Sequence, residues 1–168
     1  MINIFCESLG VTETSAYKLL KQKKTVCCFR SSNILATKEY TNLTSLQIIE
    51  NLEYWASSFS DDTSNNLCAL YDEQASLWGT LSPIKRDNPA LIKDYFEGIF
   101  KYQNRYANVT GSSVRCFGDI AICNGTYTFS WFDNGIKVVT KARFSFVYIK
   151  KGARWFIIEH HSSAIPAT

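Results

Sequence analysis

Apolar and polar positions alternate most clearly in the last part of the chain, 137–166, which runs KVVTKARFSFVYIKKGARWFIIEHHSSAIP. A period of two predicts strands. The run reads as two long strands joined by a tight turn at Lys150-Lys151-Gly152-Ala153. The first sets Arg143 among Phe144, Phe146 and Tyr148. The second ends in Glu159-His160-His161-Ser162-Ser163, which gathers both histidines of the protein in one spot. Two further strands are expected upstream, over 109–117 and 120–132. They are broken at Gly118-Asp119 and at Asp133-Asn134-Gly135, where Asn-Gly tolerates the positive φ of a hairpin turn.

Before residue 108 the pattern is helical. Thr44-Ser-Leu-Gln47 has the form of a capping box. Behind it Leu46, Ile49, Leu52 and Ala56 follow helical spacing, extended by Trp55 and Phe59, and predict an amphipathic helix over 44–59. Ser60-Asp61-Asp62 then stops the helix and can cap a second, short one reaching Leu70. Residues 71–80 suggest a chain reversal and a short strand carrying Leu77 and Trp78, and 81–87 a loop. Asn88-Pro89 couples a capping side chain to a proline at the first helical position, so a further helix is expected to about residue 102, burying Leu91, Tyr95, Phe96 and Ile99.

Helices followed by a four-stranded antiparallel meander make an α+β domain. Long strands curl, and helices on one face turn the curl into a cone with a cavity inside. The expected fold is a cone-shaped, curved antiparallel sheet wrapped around N-terminal helices. It occupies 44–168 and follows an extension, 1–43, that contains one short helix over 14–23 and little periodicity.

Composition narrows the classes. The 168 residues, 46% hydrophobic and 20% charged, suit one soluble domain. A net charge of +3 argues against a nucleic-acid binder, which needs clustered Lys and Arg. No apolar run is long enough to span a membrane, and no signal peptide is evident, so a cytoplasmic location is expected. The six cysteines lack CxxC spacing, which predicts free buried thiols and no metal; no cofactor is expected, since a GxGxxG fingerprint is absent.

The sequence resembles a known family at several points. These are ALYDEQASLWGTLSP, RDNPALIKDYF, NGTYTFSWFDNG and KARFSFVYIKKGARWFIIEHHSSAIP. Together they look like the nuclear transport factor 2-like superfamily. Within it they come nearest the group of the calcium/calmodulin-dependent protein kinase II association domain, with its bacterial stand-alone SgcJ/EcaC-type and SnoaL-like proteins. The resemblance covers about 44–166, and the ending W-x-x-x-x-H-H-S-S-x-x-P is its most specific part. It implies an open curved sheet wrapped on a long helix, a pocket between them, and self-association as a homodimer or larger ring through the outer sheet face. A kinase partner is compatible with the resemblance, but nothing else in the sequence supports one. The chain carries no kinase catalytic motif, and it has Phe146 where the hub would place an arginine.

Site candidates follow from this reading. Alternation sends His160 and His161 to opposite faces, so together they make a poor metal pair. Matching the family's ending favours His161, with Glu159 on its face, as the pocket acid or base; the plain reading is a histidine bonded in the sheet rim. Arg143 is either a cationic anchor for a carboxylate ligand or half of an ion pair across the outer face, with Glu159 a candidate partner. Arg86 could reach the pocket mouth. Tyr71, Trp78, Tyr95, Tyr127, Phe129 and Tyr148 could line an aromatic cavity or simply fill the core. Two functions are weighed: a non-catalytic oligomerisation module holding a small organic acid or apolar ligand, and a SnoaL-like isomerase or cyclase. The latter would draw its acid/base from Asp72, Asp94, Glu159 and His161. A third reading is an adaptor whose extension carries the recognition.

Overall fold

The computed structural model describes residues 43–166, so the predicted 14–23 helix and Cys6, Cys27 and Cys28 lie outside the described residues. Helix α1 (Leu43–Ser57) leads through a single 3-10 turn, Ser58–Ser60, to the short α2 (Asn65–Cys68). Strand β1 (Tyr71–Trp78) and the two-residue β2 (Lys85–Arg86) follow, then α3 (Pro89–Phe100). Four long strands close the chain: β3 (Gln103–Phe117), β4 (Ile120–Asp133), β5 (Ile136–Lys151) and β6 (Arg154–Ala164). The α+β class and the curved, unclosed sheet are as expected.

The helical starts divide. Asn88 caps α3 as predicted, accepting the Leu91 amide at 3.0 Å. The Thr44 capping box does not form as drawn, because Thr44 already lies inside α1, while the Gln47 Oε1 accepts the indole N–H of Trp155 at 3.1 Å. The buried face of α1 is Ile48, Leu52, Trp55 and Ala56; Leu46 is exposed and Ile49 only half-buried. In α3, Ile92 takes the buried place expected for Leu91. In both helices the large aromatics, Trp55 and Phe96, keep the inward places predicted for them, each 1% exposed.

The sheet order is β2-β1-β6-β5-β4-β3. β3 to β6 form the expected meander, and Asn134 and Gly135 both take positive φ in the β4–β5 turn. Residues 71–80 differ from expectation. They contain no reversal; all of Tyr71–Trp78 is one strand, lying parallel to β6, with β2 paired antiparallel along its other edge. Its partner is almost the whole domain away in sequence, so no local turn chemistry announces it. Inward residues of β4 and β5 (Ala121, Cys123, Tyr127, Phe129, Trp131, Ala142, Phe144, Phe146, Tyr148) meet α1 and α3 in one aromatic core. β4 and β3 approach closely at Gly125, where an added Cβ would fall 2.0 Å from the Gly111 carbonyl oxygen. A bulge between Val109 and Gly111 lies beside this contact.

Candidate functional site

The polar part of the site is built by β6 facing β1. Trp155 and Ile157 point into the core, and strict alternation from them would turn Glu159 and His161 inward. A bulge prevents this. Val147 pairs with Glu159 while the next residue, Tyr148, pairs with Ile157, so Ile158 is an extra residue that shifts the phase by one. His160 and Ser162 therefore face inward, 2% and 4% exposed, whereas Glu159 and His161 lie on the outer face and His161 is exposed. The expectation that His161 enters the pocket is corrected: His160 does.

His160 stands at the end of a short relay. The Trp55 indole can only donate, and it gives its N–H to the Tyr71 oxygen at 3.1 Å. The Tyr71 oxygen lies 2.8 Å from His160 Nδ1 and, having accepted the indole N–H, has its own proton left to give there. An accepting Nδ1 leaves the proton of a neutral imidazole on Nε2. Burial, assisted by the neighbouring His161, lowers the His160 pKa to about 3, so the ring is uncharged at neutral pH. Burial likewise pushes the Tyr71 hydroxyl well above its ordinary value. His160 Nε2 is buried and has no hydrogen-bond partner among the described residues. Phe146 packs against the ring with centroids 4.1 Å apart.

Next to His160 lies a triangle of hydroxyls. Tyr127 and Ser162 are bonded at 2.6 Å, Thr80 and Tyr127 at 3.1 Å, and Thr80 and Ser162 close the third side. Ser162 Oγ also lies 3.4 Å from the Arg143 carbonyl oxygen, so the three hydroxyl protons are shared among four contacts. Thr80 is delivered by the turn after β1, Tyr127 by β4 and Ser162 by β6, so three separated segments meet at one point. Gly79 makes the approach feasible, because a Cβ there would fall 2.2 Å from the Tyr95 ring.

These groups border a cavity between sheet and helices. Apolar walls come from Trp55, Phe59, Phe96, Ile99 and Phe129, and the polar lining from Thr80, Tyr95, Tyr127, Thr140, His160 and Ser162. Leu81 completes the lining and is itself 41% exposed, which marks the mouth. The free space is small: the centre of a water molecule can range over about 20 Å³, room for one or two waters.

The other predicted residues distribute as follows. Tyr95, Tyr127 and Phe129 border the cavity. Arg86 stands at its rim, its guanidinium 4.7 Å from the Tyr95 ring centroid and donating to Ser82 Oγ and the Ile84 carbonyl. Arg143 is on the outer face, exposed, and its Nε donates to Ser163 Oγ at 3.1 Å rather than pairing with Glu159. The inward positions of β5 are Ala142, Phe144, Phe146 and Tyr148, so alternation turns Arg143 away from the pocket. Trp78 is 42% exposed and pairs with His161 on the outer side, outside the cavity lining. Tyr148 is fully buried in the core away from that lining. Asp72 is held below the ordinary carboxylate range chiefly by its 2.6 Å contact with Lys151, and Asp94 is exposed on α3. Of the thiols, Cys123 is buried and burial raises it to about 12, while Cys68 and Cys116 are half-buried.

The sequence reading missed Thr80, Ser162 and His160 as pocket groups. The signal for His160 and Ser162 was the run H-H-S-S, whose phase is legible only once the Ile158 bulge is known. Trp55 and Tyr71 were noted as apolar or aromatic, but nothing local indicates that they orient a histidine. Among the described residues, no helix is long and apolar enough to cross a membrane, and no group of three or more His, Cys, Asp or Glu could hold a metal ion.

Comparison with solved structures places this fold among known ones. A protein from Xanthomonas campestris, provisionally described as a calcium/calmodulin dependent protein kinase II association domain, is 29% identical and superposes with a TM-score of 0.68 over 82% of this chain and 95% of its own. A hub homology domain from a Chlamydomonas reinhardtii calcium/calmodulin-dependent kinase shares the fold at 14% identity, with a TM-score of 0.58 over 73% of this chain and 99% of that one. A Streptomyces avermitilis protein of the nuclear transport factor 2-like family, provisionally described as a dehydratase, does so at 15% identity, with a TM-score of 0.64 over 73% and 97%. No curated protein matches. The model of the calcium/calmodulin dependent protein kinase II association domain matches residues 44–166, and the chain belongs to that family.

Proposed function

We propose that this domain is a non-catalytic self-association module with a small-molecule pocket. Copies join through the outer face of the sheet, and the cavity between sheet and helices takes a small ligand. The observation that carries the reading is the state of the cavity's histidine. Acid–base chemistry works best with a group whose pKa lies near the working pH. His160 is buried and neutral with its pKa about 3, and among the described residues no carboxylate lines the cavity beside it. An isomerase or cyclase built on this pocket would lack a proton carrier. The free thiols Cys68, Cys116 and Cys123 fit a reducing, cytoplasmic setting.

Support for self-association comes from the family and from the outer face. Register sets Trp78, His161, Ser145, Asn124 and Ser113 in one row across five strands. Other rows of the same face expose Arg143, Val139 and Phe117. A broad, mixed apolar and polar sheet surface of this kind suits a symmetric contact between two copies. Light scattering after gel filtration at micromolar concentration should give the mass of a dimer or larger species. Ser145→Arg, at the centre of that row, should reduce it to a monomer without changing the circular dichroism spectrum. A wild-type monomer overturns the assembly reading.

A further inference from the structure

The pocket has a chemical polarity that narrows its ligand. Its lining contains no side chain charged at neutral pH: Arg143 lies on the opposite face of the sheet, and the nearest guanidinium, Arg86, is held at the rim by Tyr95, Ser82 and Ile84. A carboxylate entering this space would exchange its hydration for an apolar wall with no counter-charge, a large penalty.

The groups that are present have defined roles. The relay from Trp55 through Tyr71 leaves His160 with an N–H at Nε2, buried and without a partner among the described residues. The three hydroxyls of Thr80, Tyr127 and Ser162 contact one another and the Arg143 carbonyl oxygen; those four contacts can absorb all three protons, and the hydroxyl oxygens then keep lone pairs able to accept from outside. One side of the cavity therefore offers a donor and the adjacent side acceptors. His160 and Ser162 are consecutive inward residues of β6, roughly 6.6 Å apart along a strand.

We propose that the cavity binds a small neutral molecule, or the end of one, that carries a hydrogen-bond acceptor and donor side by side, the primary amide being the simplest case. Its carbonyl oxygen accepts from His160 Nε2–H, and its N–H donates to the hydroxyl oxygens of Thr80, Tyr127 and Ser162. The rest of the molecule passes out over Leu81 toward Arg86. The inference rests on the reading of the cavity as a ligand pocket and names its chemical class.

Acetamide tests it directly, with acetate as the charged isostere. In ¹⁵N-labelled protein the His160 Nε2–H resonance should shift saturably with acetamide, while acetate at the same concentration should bind at least about tenfold more weakly. Thr80→Val and Ser162→Ala, which each remove one oxygen with little change of shape, should each weaken acetamide severalfold in samples whose spectra show an intact fold. Acetate binding as tightly as acetamide overturns the proposal. So does a resonance that responds to neither and shows exchange with water alone, in which case the site holds only solvent. The mass of the same samples is read separately: acetamide binding to a monomer would leave this inference standing while removing the assembly reading, and an oligomer that ignores acetamide would do the reverse.

Discussion

His160 shows how one side chain can couple pocket to stability. Its pKa is about 3 in the folded chain, against an ordinary 6.5. Because the folded value is lowered, the unfolded chain binds the proton more readily, so the contribution to stability falls as pH drops from 6.5 toward 3 and is level outside that window. The slope approaches about 1.4 kcal/mol per pH unit, so the cost at pH 5 is roughly 2 kcal/mol. Thermal unfolding should therefore show a melting temperature several degrees lower at pH 5 than at pH 7, and His160→Gln should flatten most of that difference. A wild-type melting temperature unchanged across this range would mean that the ring keeps its proton in the folded state. That a histidine would border the pocket could be read from H-H-S-S, but which one could not. The choice depends on one extra residue, Ile158, and a bulge in a run of four apolar or aromatic residues leaves no mark in the pattern.

At the scale of elements, glycines decide what packs. Gly125 lies where β3 and β4 nearly touch, and a methyl group there would collide with the Gly111 backbone, which cannot swing aside as a side chain can. Gly98 sits on the exposed side of α3 with nothing within 4 Å of an added Cβ. Gly98→Ala should stabilise the domain by roughly 0.5–1 kcal/mol through helix propensity. Gly125→Ala should cost more than about 3 kcal/mol or prevent folding. Chemical denaturation of the two variants checks both signs at once. The elements themselves were legible wherever a local rule acts: the Asn88-Pro89 start, the Asn134-Gly135 turn, and the alternation of β4 and β5. They were illegible where a distant partner decides, as in β1, whose sequence YDEQASLW gives a strand only because β6 lies beside it. Arg143 illustrates the same limit. Its aromatic neighbours suggested a buried cation, yet those neighbours are the inward positions and the arginine takes the outward ones between them.

For the whole molecule, the sheet falls into a part made of neighbours and a part made across the chain. β3 to β6 are joined by short turns, whereas β1 meets β6 across a separation of 89 residues, as between Tyr71 and His160. The Asp72–Lys151 ion pair clamps the start of that seam, with the Asp72 side chain 6% exposed. Closing so long a loop has an entropic cost that the hairpins avoid, so the seam forms late and is the first part of the sheet to reopen. In native-state hydrogen exchange, Asp72→Asn should hasten exchange at the β1 amides paired with β6 while β4–β5 amides keep their wild-type rates. Uniform acceleration would mean that the sheet opens only as one unit. The cavity draws polar groups from both sides of this seam: Thr80 comes from its near side, with Tyr71 behind the lining, and Ser162 and His160 from its far side. The pocket is thus a late-assembling joint, and a molecule that fills it bridges two edges that the chain brings together last. Occupancy then acts as a latch on the seam, slowing its opening without touching the strands that turn local sequence into sheet.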